Sequence, residues 1–261
     1  MRHYALVGEH LSHSLSVPIH QAVYRHLGLD ADYTLAEIPR GELHARFHVL
    51  CEELDGFNVT IPYKREIMPL LTEISGFARR VDAVNTVTVE ANITRGDNTD
   101  VAGFMAMLCH AGIDPTGQAA FILGTGGASY AAETALTDMG ASSVTKVSRH
   151  PTGSEIGYDM LAERFSGVLV NCTPAGMFPD VTGCPVAAHD LQALLPRACG
   201  VADMIYNPQE TVLTKTARAA GIPACTGLYM LVRQAVESER IWQKIDMGEE
   251  LTRQLMKELT W

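Results

Sequence analysis

Apolar and polar positions along the first hundred residues alternate between two periods. Short runs typical of strands cover Tyr4–Val7, Tyr33–Ile38 and Phe57–Thr60. Segments with helical spacing cover Pro18–Leu27, Glu42–Leu54 and Tyr63–Leu71, the last of them broken by Pro69. Alternating strands and helices predict a mostly parallel sheet. A hairpin of Val84–Val89 with Ile93–Thr94, around Glu90-Ala91-Asn92, adds antiparallel pairing, so we expect a mixed sheet.

A second unit begins near Val101 and has a different organisation. An apolar strand is predicted at Ala119–Leu123, and further strands are predicted at Ser143–Ser148, Val168–Asn171 and Gly200–Met204. Helices are predicted at Ala102–Cys109, Tyr130–Met139, Leu213–Ala220, Leu228–Trp242 and Glu249–Leu259. A strand, a glycine turn, a helix and another strand follow one another here. This order indicates a βαβ unit, and the sequence predicts an α/β protein whose second domain is a Rossmann-like, doubly wound sheet.

Composition and charge exclude several functional classes. The chain has 261 residues, 47% of them hydrophobic, and a formal net charge of -10. The apolar fraction is that of a folded protein. Nucleic acid binding needs clustered Lys and Arg, so the acidic balance argues against a nucleic-acid partner. No apolar stretch has membrane-spanning length, and the N-terminal run Tyr4–Val7 is too short for a signal peptide.

Cysteine and histidine positions indicate neither disulfides nor a metal. The six cysteines include no Cys-x-x-Cys pair, which favours reduced thiols in a cytoplasmic protein. His44 and His48 are four residues apart, but no glutamate stands between them to act as a base, so we interpret them as a helix surface. We expect no metal.

The turn after Ala119–Leu123 is the first candidate binding element. Gly124, Gly126, Gly127 and Ala128 are small enough for the backbone to approach a pyrophosphate closely, at the N-terminus of the next helix. An ordinary tight turn is the alternative interpretation. An NAD site usually has a carboxylate at the end of the following strand, but this strand ends in Ser148-Arg149. Arg149 can bind a 2′-phosphate, which favours NADP over NAD; a solvated loop arginine is the competing interpretation.

Three polar clusters occupy the first hundred residues. The first is Ser12, Ser14 and Ser16, whose alternate hydroxyls can point the same way; capping of a helix by Ser16 is the alternative. The second is Asn58-Val59-Thr60-Ile61-Pro62-Tyr63-Lys64, and the third combines Asn85-Thr86 with Asp97-Asn98-Thr99-Asp100. Reduction of a ketone needs a hydride and a proton. A lysine placed by a carboxylate can supply the proton, so this pattern predicts a dehydrogenase.

The chain resembles the shikimate dehydrogenases over almost its whole length. Eight motifs occur in the family's order: Ser12-His13-Ser14-Leu15-Ser16, Gly56-Phe57-Asn58-Val59-Thr60-Ile61-Pro62-Tyr63-Lys64, Asp82-Ala83-Val84-Asn85-Thr86-Val87, Asp97-Asn98-Thr99-Asp100-Val101-Ala102-Gly103-Phe104, Gly124-Thr125-Gly126-Gly127-Ala128, Asn171-Cys172-Thr173-Pro174-Ala175-Gly176-Met177, Asp203-Met204-Ile205-Tyr206-Asn207-Pro208 and Gly227-Leu228-Tyr229-Met230-Leu231-Val232-Arg233-Gln234-Ala235. The sequence departs from the family pattern at Val17, where the family often has proline, and at Ser148-Arg149-His150, where it has Asn-Arg-Thr.

The resemblance implies a two-domain enzyme that interconverts shikimate and 3-dehydroshikimate with NADP(H). It implies a substrate-binding domain of residues 1–100, completed by C-terminal helices of about 228–261, and an NADP-binding domain of residues 101–227. Lys64 and Asp100 match the catalytic pair. The positions that match substrate-binding residues are Ser14, Ser16 and Tyr206 for the carboxylate and Asn58, Thr60, Asn85 and Gln234 for the ring hydroxyls. The positions that match the cofactor site are Gly124, Gly126, Gly127, Ala128, Ser148, Arg149, Asn171, Thr173, Met204, Gly227 and Met230.

Three alternatives remain at the level of sequence. A quinate/shikimate dehydrogenase using NAD is the nearest, although Arg149 favours NADP. A non-catalytic NAD(P)-binding paralogue would share the fold, but Lys64 and Asp100 are both present. A methylene-tetrahydrofolate dehydrogenase-like enzyme would not require the serine cluster. We expect a small-molecule substrate, no nucleic-acid or membrane partner, and a monomer or homodimer.

Overall fold

The computed structural model describes residues 1–12, 14–91 and 93–259 of the chain, so His13 of the serine motif and Asn92 of the predicted hairpin turn lie outside it. The chain divides into two compact units. One consists of Met1–Asp100 together with the chain from Val232 onward, and the other is Val101–Leu231. Helices at Asp100–His110 and Leu228–Gln243 contain the two division points.

The first unit is built on a mixed six-stranded sheet. Its elements are β1 (Arg2–Gly8), α1 (Ser16–Leu27), β2 (Ala31–Glu37), α2 (Leu43–Glu53), β3 (Gly56–Val59), a 3-10 helix (Met68–Leu70), β4 (Glu73–Ile74), α3 (Gly76–Val81), β5 (Thr86–Glu90), β6 (Ile93–Asp97) and the start of α4 (Asp100–His110). The strand order is β2-β1-β3-β5-β6-β4. β1 pairs in parallel with β2 and β3, whereas β5 pairs antiparallel with β3 and β6. The mixed sheet is confirmed.

The second unit contains the doubly wound sheet that the sequence predicts. Its elements are β7 (Ala119–Leu123), α5 (Gly127–Asp138), β8 (Ser143–Ser148), β9 (Ile156–Gly157), α6 (Tyr158–Arg164), β10 (Gly167–Asn171), α7 (Ala188–Leu194), a 3-10 helix (Leu195–Arg197), β11 (Ala198–Asp203), α8 (Val212–Ala219), β12 (Ala224–Thr226) and the start of α9 (Leu228–Gln243). All strands run parallel in the order β12-β11-β10-β7-β8-β9. Counted from β7, this is the dinucleotide-binding order 3-2-1-4-5-6.

The later turns of α9 and helix α10 (Glu249–Glu258) belong to the first unit. Trp242 of α9 is buried, stacks on Tyr4 of β1 with ring centroids 4.5 Å apart, and donates its indole N–H to the carbonyl of Val87 at 3.0 Å. One aromatic residue thus joins the end of α9 to two strands. The C-terminal segment is therefore part of the core of this unit, although more than 130 residues separate it from β6.

Two local predictions are wrong. Residues 61–67 form successive turns that lead into the 3-10 helix, so there is no α-helix over Tyr63–Leu71. Pro69 has no N–H to donate to an α-helical hydrogen bond, which limits the segment to short-range turns. Helix α1 begins at Ser16, with Leu15 as its N-cap and no side-chain capping bond. The interpretation of Ser16 as a capping residue is therefore wrong.

Several short elements gave no clear sequence pattern. The pattern of hydrophobic positions did not indicate β4, α3, β9, α6, α7 or β12, each of which spans eight residues or fewer. Within the described ranges, no helix combines the length and the apolar character that a bilayer span requires.

Candidate active site

Lys64 and Asp100 form the central ion pair of the first unit. Lys64 follows β3 in the turn region, and Asp100 is the first residue of α4. Lys64 Nζ lies 2.5 Å from Asp100 Oδ2, and the side chains are 28% and 14% exposed. Partial burial makes such a pair stronger than an exposed one, because less water screens the charges. The ammonium group still reaches solvent, so a ligand can approach it.

Asn85 holds the other oxygen of the same carboxylate. Its side-chain oxygen accepts the backbone N–H of Thr99 at 2.8 Å, which fixes the orientation of the amide group. The nitrogen Nδ2 therefore faces Asp100 and donates to Oδ1 at 2.9 Å. Asn85 is 3% exposed. The two oxygens of Asp100 thus accept from two different donors, which holds the plane of the carboxylate.

Asn58 lies behind this pair in the interior of the unit. Its amide nitrogen lies within 3.1 Å of the carbonyl of Asn85 and of the hydroxyls of Thr86 and Ser238. Its oxygen accepts the Tyr33 hydroxyl at 2.8 Å. With all its polar atoms satisfied and only 4% exposure, Asn58 supports its neighbours and has no polar atom left for a ligand.

The serine cluster lies in the segment between β1 and α1. The Ser14 hydroxyl lies 3.1 Å from that of Ser16 and also accepts the Ser16 backbone N–H at 3.2 Å. Ser14 is half-buried, and Ser12 is exposed. Two neighbouring hydroxyls can donate together to one carboxylate. Thr60, half-buried at the end of β3, and Gln234 of α9 belong to the same unit, whereas Tyr206 belongs to the second unit directly after β11.

The glycine turn of the second unit joins β7 to α5. Gly124 has φ +97°, and a Cβ there would lie 2.9 Å from Thr173 Cγ2. Only glycine fits this conformation and this space without strain. At Gly126 and Gly127 a Cβ would meet no atom within 4 Å, so the space in front of the α5 N-terminus is open. Ala128 is exposed in the first turn. Free N–H groups facing open space are suited to a diphosphate.

A cavity of about 940 Å³ lies at the ends of β8 and β10. Ser148, Arg149, Tyr158 and Thr173 are among its lining residues. Arg149 is exposed and makes no ion pair with any carboxylate that the structure describes. The Ser148 hydroxyl accepts the backbone N–H of His150 at 3.1 Å, which fixes the turn after Arg149. A large cavity with a cation at its rim can take a phosphorylated nucleoside.

Asn171 and Asp203 shape the adjacent loop. The Asn171 amide donates to Asp203 Oδ1 at 3.0 Å, while its oxygen accepts the backbone N–H and the hydroxyl of Thr173. Asn171 is completely buried, so its side chain holds the Thr173 segment in place instead of facing the cavity. Burial raises the pKa of Asp203 to about 6, although it accepts from Asn171, Ile205 N–H and Thr211.

Met204, Gly227 and Met230 lie at the ends of β11 and β12. Met204 is half-buried, with its sulfur 3.2 Å from the Cys172 thiol. A Cβ at Gly227 would lie 2.2 Å from the Met204 carbonyl oxygen, so only glycine permits this approach of the two strand ends. Met230 is 8% exposed in the first turn of α9. These three residues form one corner of the second unit.

The sequence patterns did not indicate a buried pair of polar side chains that lies behind the Lys64–Asp100 ion pair. His20 Nδ1 lies 2.6 Å from Glu239 Oε1, both side chains are fully buried, and the His20 ring stacks on Tyr33 at 3.9 Å. Ser238, also fully buried, contacts Asn58. The sequence signal was the run of polar residues Glu237-Ser238-Glu239 directly after the apolar pair Ala235-Val236 of the helix. No set of three or more metal-binding side chains comes together within the described ranges.

Comparison with known proteins gives a consistent result. Residues 6–87 match the family model described as the shikimate dehydrogenase substrate binding domain. A Clostridium beijerinckii protein named shikimate dehydrogenase (NADP(+)) is 36% identical over 98% of this chain and 97% of its own. The crystal structure of a chorismate mutase/shikimate 5-dehydrogenase fusion protein from Clostridium acetobutylicum has a TM-score of 0.93, with 36% identity, 99% coverage of this chain and 97% of that chain. A Thermus thermophilus shikimate 5-dehydrogenase in complex with NADP(H) and shikimate has a TM-score of 0.87, with 28% identity and 99% coverage of both chains.

Proposed function

The chain belongs to the shikimate dehydrogenase family, and we propose that it catalyses the reversible NADP(H)-dependent reduction of 3-dehydroshikimate to shikimate. The observation that carries this function is the Lys64–Asp100 pair, at 2.5 Å, in the unit whose sequence matches the substrate binding domain. Dehydrogenation needs a group that moves a proton to and from the reacting oxygen. A half-buried lysine beside a carboxylate is such a group.

Lys64 acts as the general acid in reduction. Its Nζ gives one proton to the ketone oxygen as that oxygen gains negative charge, and in the reverse direction the neutral amine takes the hydroxyl proton back. Asp100 keeps the amine in place through Oδ2 and is itself held by Asn85 at Oδ1. NADPH supplies the hydride when bound, so the chain's own residues have only to bind, orient and transfer the proton.

The residues of the second unit fit NADP. The open space at Gly126 and Gly127 leaves room for the diphosphate at the α5 N-terminus. Arg149, which lines the cavity together with Ser148 and Thr173, would hold the 2′-phosphate through its guanidinium group. Met204, Gly227 and Met230 are proposed to flank the nicotinamide. Asn171 contributes indirectly, since its side chain is used to fix Thr173.

The first unit supplies the remaining substrate groups. Ser14 and Ser16 are proposed to bind the substrate carboxylate. Thr60 and Gln234 are proposed to bind ring hydroxyls. Asn85 donates both of its amide hydrogens within the protein, so its part is to hold Asp100. We assign residues 1–100 with the C-terminal helices to substrate binding and residues 101–227 to NADP binding.

The six cysteines are unpaired, which fits a reducing compartment such as the cytoplasm.

Consumption of NADPH with 3-dehydroshikimate tests the proposal directly. The wild-type protein should oxidise NADPH and release shikimate in equal amounts, as measured by absorbance and by chromatography of the product. Asp100→Asn should lower kcat by about 10²-fold or more, because the amine loses the charge that positions it. A folded wild-type protein that forms no shikimate would refute the function.

A further inference from the structure

Ser238 of α9 lies at the centre of the hydrogen-bond network behind the ion pair. Its side chain is fully buried. Its oxygen lies 2.9 Å from Asn58 Nδ2, 2.9 Å from Thr86 Oγ1 and 3.3 Å from Thr99 Oγ1. The hydroxyl also lies 3.0 Å from the backbone carbonyl of Gln234, one turn earlier in the helix. One hydroxyl therefore contacts four groups on four separate segments of the first unit.

The direction of each hydrogen bond of Ser238 follows from those partner groups that can only donate or only accept. A carbonyl cannot donate, so the Ser238 proton goes to the oxygen of Gln234. The Ser238 oxygen then accepts from the amide of Asn58 and from a threonine hydroxyl. Ser238 is thus an acceptor toward the sheet and a donor toward its own helix.

The same reasoning connects Ser238 to Asp100. The two hydrogens of Asn85 Nδ2 go to Thr99 Oγ1 at 3.0 Å and to Asp100 Oδ1 at 2.9 Å. The hydroxyl protons of Thr86 and Thr99 have the same two acceptors, Ser238 Oγ and Asn85 Oδ1, at 2.9 and 3.0 Å for Thr86 and at 3.3 Å each for Thr99. A threonine that donates to Ser238 therefore leaves Asn85 Oδ1 to the other. The path runs from the helix hydroxyl through one threonine and one amide to the carboxylate that holds Lys64.

We propose that Ser238 is a positioning residue for the reaction: through Thr99 and Asn85 it sets the orientation of the Asp100 carboxylate and thereby the place of Lys64 Nζ. The inference rests on the proposed function, because it assigns Ser238 a part in the same proton transfer. Ser238 is itself buried behind these residues and touches neither the amine nor the open face of the pair.

Removal of the hydroxyl tests the proposal. Ser238→Ala deprives Asn58 and one threonine hydroxyl of an acceptor. The Thr99 backbone N–H still holds Asn85 Oδ1, but both threonine protons now turn to that oxygen, so the Asn85 amide shifts and the Lys64–Asp100 pair loosens. We expect kcat to fall about tenfold while KM changes less than about threefold, since proton transfer depends on placement more than binding does. Thr252→Val is the matched control: Thr252 is a fully buried hydroxyl in α10 of the same unit with no partner among the described residues. Its kcat should stay within about twofold of wild type.

A second readout does not depend on turnover. Acetic anhydride labels the amines that it can reach, and the ion pair with the partly buried Asp100 carboxylate shields the Lys64 amine from the reagent. Mass spectrometry of the Lys64 peptide at fixed pH should show labelling about threefold faster in Ser238→Ala than in Thr252→Val. If circular dichroism shows that the alanine variant does not fold, Ser238→Cys takes its place, since a thiol is a weak acceptor.

Each combination of results either supports or overturns the positioning role of Ser238. A drop in kcat together with faster Lys64 labelling supports the positioning role. Unchanged kcat overturns it, and so does a drop in kcat at an unchanged labelling rate, because Ser238 would then act by some route other than Lys64. If wild-type protein does not convert shikimate, the proposed function fails. The labelling comparison then still shows whether Ser238 holds the ion pair.

Discussion

At the residue scale, the hydrogen-bond donors around Asp100 fix the orientation of its carboxylate group. One oxygen accepts from Lys64 and the other from Asn85, whose own amide is fixed by the Thr99 backbone. Neither oxygen has a second donor competing for the same position among these residues. The carboxylate is therefore held in one plane, and the ammonium group of Lys64 is held with it.

Replacement of Lys64 tests its role as the proton donor. Lys64→Ala should lower kcat about 10²- to 10⁴-fold with a change in KM of less than about fivefold, because the proton moves in the transition state. Initial rates with shikimate and NADP measure both constants. Lys257→Ala, at an exposed position on α10, is the control and should behave as wild type. Near-wild-type turnover in Lys64→Ala would remove Lys64 from the mechanism.

The buried carboxyl group of Asp203 should make the stability of the protein depend on pH. Burial raises its pKa in the folded protein to about 6, above the ordinary value of 3.8. Between these values the folded state holds a proton that the unfolded state has lost, so this group's contribution to stability falls as pH rises from about 4 to 6. In urea unfolding, wild type should lose roughly 2–3 kcal/mol relative to Asp203→Asn over that range.

The test compares how steeply the unfolding free energy of each protein changes with pH. Effects of the substitution that do not depend on pH therefore cancel. Glu163→Gln, at an exposed carboxylate of α6 in the same unit, is the control and should run parallel to wild type. A difference between wild type and Asp203→Asn that stays constant from pH 4 to 6 would show that Asp203 ionises normally in the folded protein.

At the element scale, the β7–α5 turn divides its glycines between two tasks. Gly124 has a positive φ and faces Thr173 at 2.9 Å, so its task is conformational. Gly126 has φ −72° and its Cβ position is open, so the backbone itself does not require glycine there. Its task is to leave space for a ligand at the helix N-terminus.

The two glycines should therefore respond differently to alanine. Gly124→Ala should lower stability by about 1–3 kcal/mol, since alanine is strained at this φ. Gly126→Ala should unfold at the temperature of wild type yet bind NADP about tenfold or more weakly, because the methyl group occupies the phosphate space. Calorimetric unfolding and titration measure the two properties. Equal NADP affinity of Gly126→Ala and wild type would move the phosphate away from this turn.

Periodicity predicted the longer elements well and the short ones poorly. The predicted strands Ala119–Leu123 and Ser143–Ser148 match β7 and β8 to the residue. β7 is a largely buried apolar run, whereas β8 shows its strand character in the β-branched residues between its two serines. The segment Tyr63–Leu71 has helical spacing but forms turns, because Pro69 and the packing of Tyr63 and Ile67 against the core decide its path. The spacing of apolar residues records burial, which a tight series of turns can also satisfy.

Prediction of the candidate site from sequence was limited in a similar way. Motifs indicated Lys64 and Asp100 as partners, and the structure brings their charged atoms to 2.5 Å. The buried His20–Glu239 pair was not predicted, since 219 residues separate its members and each looks like a surface charge in sequence. Contacts across the whole chain depend on the register of strands and the return of α9, which no local pattern contains.

At the scale of the whole molecule, the first unit is closed by chain from the far end of the sequence. Trp242 of α9 packs on Tyr4, and Arg25 and His26 of α1 pair with Glu258 of α10. The exposed ion pairs contribute little, so most of this attachment comes from the buried aromatic group. The second unit has its own core, which includes Phe121 and Phe165 in edge contact at 5.3 Å.

Truncation of that aromatic group should weaken the first unit. Trp242→Ala removes a buried ring and its hydrogen bond, at a cost of about 3–5 kcal/mol in unfolding free energy. Leu35→Ala, at a 40% exposed position on β2, is the control and should change stability by about 0.5 kcal/mol or less. Urea unfolding followed by circular dichroism measures both. A loss below about 1 kcal/mol in Trp242→Ala would mean that α9 contributes little to this core.

The central claim is that this chain is an NADP-dependent shikimate dehydrogenase, and one crossed assay tests it. Purified protein is given shikimate or quinate, each with NADP or NAD, and formation of the reduced nicotinamide is followed. Shikimate with NADP should give kcat/KM at least about tenfold above every other combination, because Arg149 is proposed to bind the 2′-phosphate. Equal or faster turnover of quinate with NAD would contradict the account, as would no turnover in any combination by folded protein.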